Sequence, residues 1–316
     1  MPVLYLTEAE VARVLTMDLA LETTAAAFRK LALEEAVNPP RQRVQTDHAV
    51  LHVLPAAAKT LGALGFKAYT TTKQGAKFHV TLFDPKEGGI SAILEADLLG
   101  QFRTGAASGV ATKKLARADA KVVGVYGTGK QARTQLLAMC KVRPITSALV
   151  YGRDAERRKA FAAQMEQETG VLVLPVDRPE EAAKCDIICT ATNAREPVLL
   201  GEWVQPGQHL NVIGSNFLGK TETDVEVFRR TQVVSVDSKE QAKLEAGDFV
   251  EPIKQGVLQW ADVFEFAPLL VGRYPGRETP DDVTLFKSLG LGVEDIALAV
   301  KVVELAKQQG LGRELL

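Results

Sequence analysis

The chain has 316 residues, 46% of them apolar and 24% charged, with 38 Lys and Arg balanced by 39 Asp and Glu. A net charge of −1 excludes the basic footprint of a nucleic-acid binder. No apolar run approaches the roughly 20 residues of a membrane-spanning helix. The length predicts two domains, and the opening segment MPVLYLTEAEVARVL lacks the flanks of a signal peptide. Three cysteines (Cys140, Cys185, Cys189) and four histidines form no metal-ligand pattern, so a cytoplasmic protein without a metal site is expected.

In chain order, residues 18–36 carry apolar positions at helical spacing and predict an amphipathic helix that Asn38-Pro39-Pro40 ends. From Arg41 to Thr81 the short runs RQRVQT, AVLHVLPA, LGFKAYTT and KFHVTLFD, parted by Gly, Pro and Asp, predict an antiparallel sheet of hairpins. A turn at 84–89 and a strand at 90–94 follow, then an Ala- and Gly-rich helix over 96–117. At Asp119 hairpins give way to alternating strand and helix. Strand-like runs fall at 121–126, 147–152, 171–175, 186–191, 209–214 and 232–237, which predicts a doubly wound parallel sheet. Pro268–Pro280 reads as a surface loop, and 293–309 as a last helix that either domain could claim. Glu245 and Asp248 in KLEAGD read as a helix-end surface, with an interface or a loop-ordering role as alternatives.

Gly127-Thr128-Gly129-Lys130-Gln131-Ala132 follows the strand KVVGVY and opens a helix. The first glycine permits the tight turn, the second lets a pyrophosphate reach the backbone, and Ala132 lets helix and strand pack closely. The helix N-terminus supplies N–H donors to phosphate. At the end of the second strand, where an acidic residue would accept hydrogen bonds from the ribose of NAD, the chain has Gly152-Arg153. Arg153 suits a 2′-phosphate, which favours NADP(H) while leaving NAD(H) possible, and Arg157 and Arg158 could assist.

A nicotinamide enzyme also needs groups that hold its substrate against the ring. The first half offers Arg41, Arg43, Lys67 and Arg103. Arg41 and Arg43 share a face of a predicted strand, and Lys67 sits among small and apolar neighbours that would lower its pKa. Any one of these is more commonly a surface charge, and composition does not choose among them.

The segments PPRQRV, VLHVLPA, LGFKAYTT, EADLLGQFRTGAASGVATKKLAR, VYGTGKQARTQ, CTATNAREPVL, PGQHLNVIGSN, VDSKEQAKLEAGD and VTLFKSLGLGVEDIALA together resemble the ornithine cyclodeaminase/mu-crystallin family over nearly the whole chain. The resemblance implies an α/β fold. A Rossmann-type NAD(P)-binding domain would span residues 119–292. An α+β substrate-binding and dimerisation domain with an antiparallel-rich sheet would span 1–118, the helix 293–316 returning to it, in a homodimer. It places Arg41, rather than Arg43, with Lys67 and Arg103 around a substrate carboxylate and imine. Thr190, Asn211, Val212, Lys220 and Ser288 would line the cofactor beside Gly127, Thr128, Gly129, Lys130 and Gln131.

Two departures narrow the activity. Where ornithine cyclodeaminases carry a catalytic aspartate this chain has Asn216, and where they carry a strand glutamate it has His52. Both carboxylates that would meet a diamine's second ammonium are missing. A strand histidine is more commonly a structural hydrogen-bonder, although His52 facing a pocket could bind a carboxylate or move a proton. The expectation is an NADP(H)-dependent oxidoreductase reducing a 2-imino acid or cyclic ketimine carboxylate, or aminating a 2-oxo acid in the manner of an alanine dehydrogenase. The alternatives are a cyclodeaminase with tightly held NAD, and a non-catalytic NADPH-dependent binding protein.

Overall fold

Local sequence rules account for the first elements of the computed structural model, which describes residues 2–315. After β1 (Val3–Leu6), Thr7 and Glu10 form a reciprocal capping box that starts α1 (Glu8–Val14). Thr16 caps α2 (Met17–Ala32), whose buried face runs through Ala20, Thr24, Ala27 and Phe28. The helix ends short of residue 36. Glu34 adopts φ 59°, and Ala36–Val37 leave as β2 to pair with Ala58 and Ala57 of β4.

Strands β3 (Gln42–Gln45), β4 (Ala49–Ala58), β5 (Ala63–Thr72), β6 (Gly75–Phe83) and β7 (Ile90–Glu95) are antiparallel neighbours. Beyond β7 the pairing turns parallel, to β1, so the sheet is antiparallel-rich rather than purely antiparallel. On β4, His52, Leu54, Ala56 and Ala58 alternate inward. Leu54 pairs with Lys67 of β5 and His52 with Tyr69, which puts these four side chains on one face. Helix α3 (Asp97–Leu115) follows.

The next stretch alternates strand and helix. It runs β8 (Val122–Tyr126), α4 (Lys130–Val142), β9 (Ser147–Tyr151), α5 (Ala155–Thr169), β10 (Leu172–Pro175), α6 (Pro179–Ala182), β11 (Ile187–Thr190) and β12 (His209–Val212). It continues α7 (Val225–Arg229), β13 (Val233–Val236), α8 (Lys239–Glu245), α9 (Gly247–Lys254), β14 (Val263–Glu265), α10 (Phe266–Leu270) and β15 (Thr284–Lys287). All eight strands pair in parallel, in the order β10-β9-β8-β11-β12-β15-β13-β14. The inner strands β8, β11, β12, β15 and β13 are buried along most of their length, as a sheet covered on both faces requires. Strand order reverses between β8 and β11, the point where open α/β sheets bind ligands.

The chain closes with α11 (Gly292–Gln308) and β16 (Arg313–Leu315), which pairs with β1. Helix α11 packs on β4, β5 and α2. Two compact units result, one of residues up to 103 with those from 290 onward, the other of residues 104–289. The division falls inside α3, and α11 belongs to the first unit.

Candidate active site

In the first unit, β5 aims Lys67 inward, where its side chain is 3% exposed. The Nζ donates to Asp295 Oδ1 at 2.9 Å, and Asp295 is fully buried in the first turn of α11. Arg103, from α3, donates through Nε to the same Oδ1 at 3.1 Å and through Nη1 to Glu294 Oε2 at 2.9 Å. Arg41 completes the group. It is buried, with Nη1 donating to the Tyr69 hydroxyl at 3.2 Å and Nη2 to the Gly290 carbonyl at 3.3 Å. Space for the ammonium depends on Gly100, where a Cβ would lie 2.7 Å from Lys67 Nζ. Arg41, Lys67 and Arg103 are therefore gathered in one buried cluster, although Arg41 immediately precedes β3 rather than lying in it.

Burial pushes the Lys67 ammonium down to about 8, and Asp295 supports its charge against the further push of Arg103 and Arg41. Burial also opposes the charge on Arg103, but Asp295 and Glu294 outweigh it and raise its pKa above the usual arginine value. Three cations face two carboxylates here. A buried group of cationic donors of this kind suits a ligand that carries a carboxylate. Glu294, Asp295 and Tyr69 were not anticipated from the sequence. Two acids in a helical first turn look like ordinary dipole partners, and only the pairing with strand and helix residues some 190–230 positions away reveals them.

His52 stands beside this cluster with both ring nitrogens engaged. Nδ1 accepts from Arg43 Nε at 3.1 Å, which leaves Nε2 to donate to Thr71 Oγ1 at 3.1 Å. Its ring stacks on Tyr69 at 4.2 Å with 3° between planes, and Tyr69 stacks in turn on Phe78. Burial, with Arg43 and Arg41, lowers its pKa to about 4, so it is neutral at physiological pH. This is the geometry of a structural hydrogen-bonder that orients Arg43 and Tyr69.

In the second unit, register aligns the carboxyl ends of the strands. Tyr151, Tyr126, Thr190, Val212, Lys287 and Val236 are successive cross-strand partners. Gly152, Gly127 and Ser288 each follow such an end, so together with Thr190 and Val212 they line one edge. Gly127 has φ +112°, and a Cβ there would come 2.5 Å from the Ala191 carbonyl, so glycine is required on both counts. Gly129 is the N-cap of α4 and its Cβ position faces open space. Thr128, Lys130 and Gln131 form the turn and first helical residues. This is an arrangement that binds a diphosphate by backbone N–H groups.

Arg153 is exposed just past β9. Arg158 is buried, donating to the Gly152 carbonyl and pairing with Asp177. Asp154 is occupied as the N-cap of α5. Thr190, Asn211 and Ser288 direct their side chains into the protein, to Glu222 at 2.8 Å, Thr112 at 2.9 Å and Asp237 at 3.4 Å. Asn216 and Lys220 lie in the loop after β12, where the Lys220 ammonium sits 5.7 Å from the Phe217 ring.

That loop is held by a buried network. Glu222, fully buried, accepts from Thr190 Oγ1, from the Thr192 backbone N–H at 2.6 Å and hydroxyl at 2.7 Å, and from the Gly214 N–H at 2.6 Å. Burial raises its pKa. Asp248 Oδ1 takes the N–H groups of Glu222 and Thr223, while Oδ2 pairs with Lys287 Nζ at 2.7 Å, both side chains fully buried. The sequence put Glu245 and Asp248 on a helix-end surface, but each is 1% exposed. The tight Gly247 turn carries Asp248 inward, where a carboxylate orders the loop.

A family model described as the ornithine cyclodeaminase/mu-crystallin family matches residues 3–310. The chain belongs to this family. Among its relatives, a delta(1)-pyrroline-2-carboxylate reductase of Bacillus cereus is 35% identical over 310 residues, covering 95% of each chain. The structure of the Thermococcus litoralis delta(1)-pyrroline-2-carboxylate reductase, in complex with NADH and L-proline, aligns with TM-score 0.94 and 35% identity over 99% of this chain and 100% of that one. An archaeal alanine dehydrogenase dimer with bound NAD aligns equally well, with TM-score 0.94 and 33% identity over 100% of this chain and 99% of that one.

Proposed function

We propose that this family member is an NAD(P)H-dependent oxidoreductase acting on C–N bonds, which delivers hydride to the Cα of a 2-imino acid or a cyclic ketimine carboxylate. The observation that carries this reading is the buried cluster of Arg41, Lys67 and Arg103 set against Asp295 and Glu294. Arg41 and Arg103 clamp the substrate carboxylate. Lys67 donates a hydrogen bond or proton to the imine nitrogen, since a protonated C=N bond accepts hydride far more readily than a neutral one. Addition of one hydride to carbon and one proton to nitrogen then gives the amine. A reduced nicotinamide, when bound, supplies the hydride.

The first unit serves as the substrate-binding and dimerisation domain, the second as the cofactor domain, in a cytoplasmic homodimer like that of the archaeal relative. The glycine turn at 127–129 takes the pyrophosphate, and its fit rests on the +112° φ of Gly127 and the open space at Gly129. Gly152-Arg153 favours NADP(H), because the residue that follows β9 is a glycine rather than an acid, Asp154 is engaged as the N-cap of α5, and Arg153 is exposed between them. The relatives' NADH and NAD make the NAD(H) form the natural comparison. A diamine substrate is disfavoured because its distal ammonium would meet neutral His52 and the Arg43 guanidinium instead of a carboxylate.

The test is loss of reduced-nicotinamide absorbance with NADPH and NADH in parallel, using pyrroline-2-carboxylate, piperideine-2-carboxylate, and pyruvate with ammonia or methylamine. Turnover with at least one imine is expected. No turnover across this panel refutes the proposal.

A further inference from the structure

Asp295 has one oxygen fully committed and one that is not. Oδ1 accepts from both Lys67 Nζ and Arg103 Nε. Oδ2 is buried and meets no hydrogen-bond donor among the described residues, although buried carboxylate oxygens are normally satisfied. The two oxygens share one carbon, so Oδ2 lies within the same buried cluster as Lys67 and Arg103. A group that completes this site must bring its own donor. Arg41, Lys67 and Arg103 offer hydrogen-bond donors only, which suits a carboxylate and leaves an N–H on the same ligand without an acceptor. Position 216, where the family resemblance puts an aspartate, holds an amide.

We propose that Asp295 is a catalytic residue that accepts the N–H of the substrate's protonated imine through Oδ2 and balances its positive charge. The inference rests on the imine-reductase reading above. In the protonated form of a C=N bond the nitrogen carries both the proton and the charge. Hydride addition at carbon moves the C=N electron pair onto nitrogen, which leaves the N–H in place and the charge cancelled. Once Lys67 has given its proton to the nitrogen, that N–H is the one Oδ2 accepts, so Asp295 holds the charged substrate while Oδ1 keeps the Lys67 and Arg103 side chains in position. Asp295 belongs to the first unit with Lys67, so the arrangement is built by that unit's own strands and helices.

The test compares pyrrole-2-carboxylate with furan-2-carboxylate, two planar carboxylates of like shape that differ in presenting N–H or a ring oxygen. Binding is read by competition with the imine substrate and, independently of turnover, by thermal stabilisation of the protein. The wild-type protein is expected to bind the pyrrole about tenfold or more tightly than the furan, the gain from a donor meeting a buried carboxylate. In Asp295→Asn the side-chain oxygen stays with Lys67 and Arg103, and an NH2 group replaces Oδ2. The preference should then collapse or turn toward the furan. Equal binding of the two by the wild-type protein, or a pyrrole preference kept intact in Asp295→Asn, overturns the assignment. Should the variant fail to fold, the wild-type comparison decides alone. Turnover of the imine panel without discrimination overturns Asp295 but leaves the reductase reading. Discrimination without turnover supports the acceptor and refutes the reductase.

Discussion

The Lys67 ammonium carries the most specific pH dependence. Its pKa falls from 10.5 to about 8, chiefly through burial. Roughly nine-tenths of the enzyme is therefore protonated at that side chain at pH 7 and about one-tenth at pH 9. If the protonated form assists the imine, kcat/KM for reduction should be level below pH 8 and fall about tenfold per unit above it. Lys67→Arg keeps its charge throughout this range, so its lower rate should lose the alkaline limb. Asp295→Asn removes the group that supports the ammonium, so its limb should move to lower pH. Stability should run the other way. The unfolded chain holds this proton up to 10.5 and the native chain only to about 8. Between those values the native state binds fewer protons, and the lysine's contribution to stability rises with pH by about 1.4 kcal/mol per unit. Initial rates from pH 6 to 10, at saturating reduced cofactor, measure the activity profile. An alkaline limb that persists unchanged in Lys67→Arg, or a wild-type profile level to pH 10, refutes the assignment.

Three further outcomes follow from the second unit. Asp248→Asn strips Lys287 of its ion-pair partner at 2.7 Å, both side chains being fully buried. It should cost about 3–5 kcal/mol in denaturant unfolding, most of it recovered by adding Lys287→Met. A single-variant loss below about 1 kcal/mol contradicts the pairing energetics. Arg153→Ala should weaken NADPH about 10–100-fold by removing a charge-assisted contact, with NADH affinity nearly unchanged. Equal effects on both cofactors in titration fluorimetry would remove Arg153 from the 2′-phosphate. Gly127→Ala puts a Cβ 2.5 Å from the Ala191 carbonyl at φ +112°. It should cost well over about 1 kcal/mol and abolish detectable cofactor binding in the same titration. Binding retained at the parental level would exclude this turn as the phosphate site.

The family and the α/β class were legible because they depend on local patterns. Gly127 and Gly129 sit at a strand-to-helix change, and the near-continuous apolar strands of the parallel sheet need no knowledge of their neighbours. The cationic residues Arg41, Lys67 and Arg103 could be singled out, but nothing local reveals what they touch. Their partners Glu294 and Asp295 are ordinary first-turn acids by sequence, 191 and 228 positions from Arg103 and Lys67 respectively. Asp248 was misread for a related reason. A polar residue beside a glycine at a helix boundary is usually exposed, and only tertiary placement of Lys287 and of the Glu222 and Thr223 amides makes burial favourable. His52 lay between these cases, since its residue type allowed two roles and its cross-strand partner Arg43 selected the tautomer.

The two buried ionic clusters differ in a way that separates scaffold from site. A buried ion pair is weak evidence for stability, because desolvation consumes much of the attraction. In the second unit the groups satisfy one another. Lys287 holds Asp248, Asp248 takes the amides of Glu222 and Thr223, and Glu222 takes donors from the loops after β11 and β12. None of the side-chain polar atoms of Lys287, Asp248 or Glu222 is left buried without a partner. Such a network fixes backbone. In the first unit the count does not close. Three cations meet two carboxylates, and Asp295 Oδ2 has no donor among the described residues. The cationic donors suit a carboxylate, and the unpartnered oxygen suits an N–H. An α-imino acid carries both, adjacent to the carbon that would receive hydride, and it is this match, rather than burial alone, on which we propose the cluster as the substrate site.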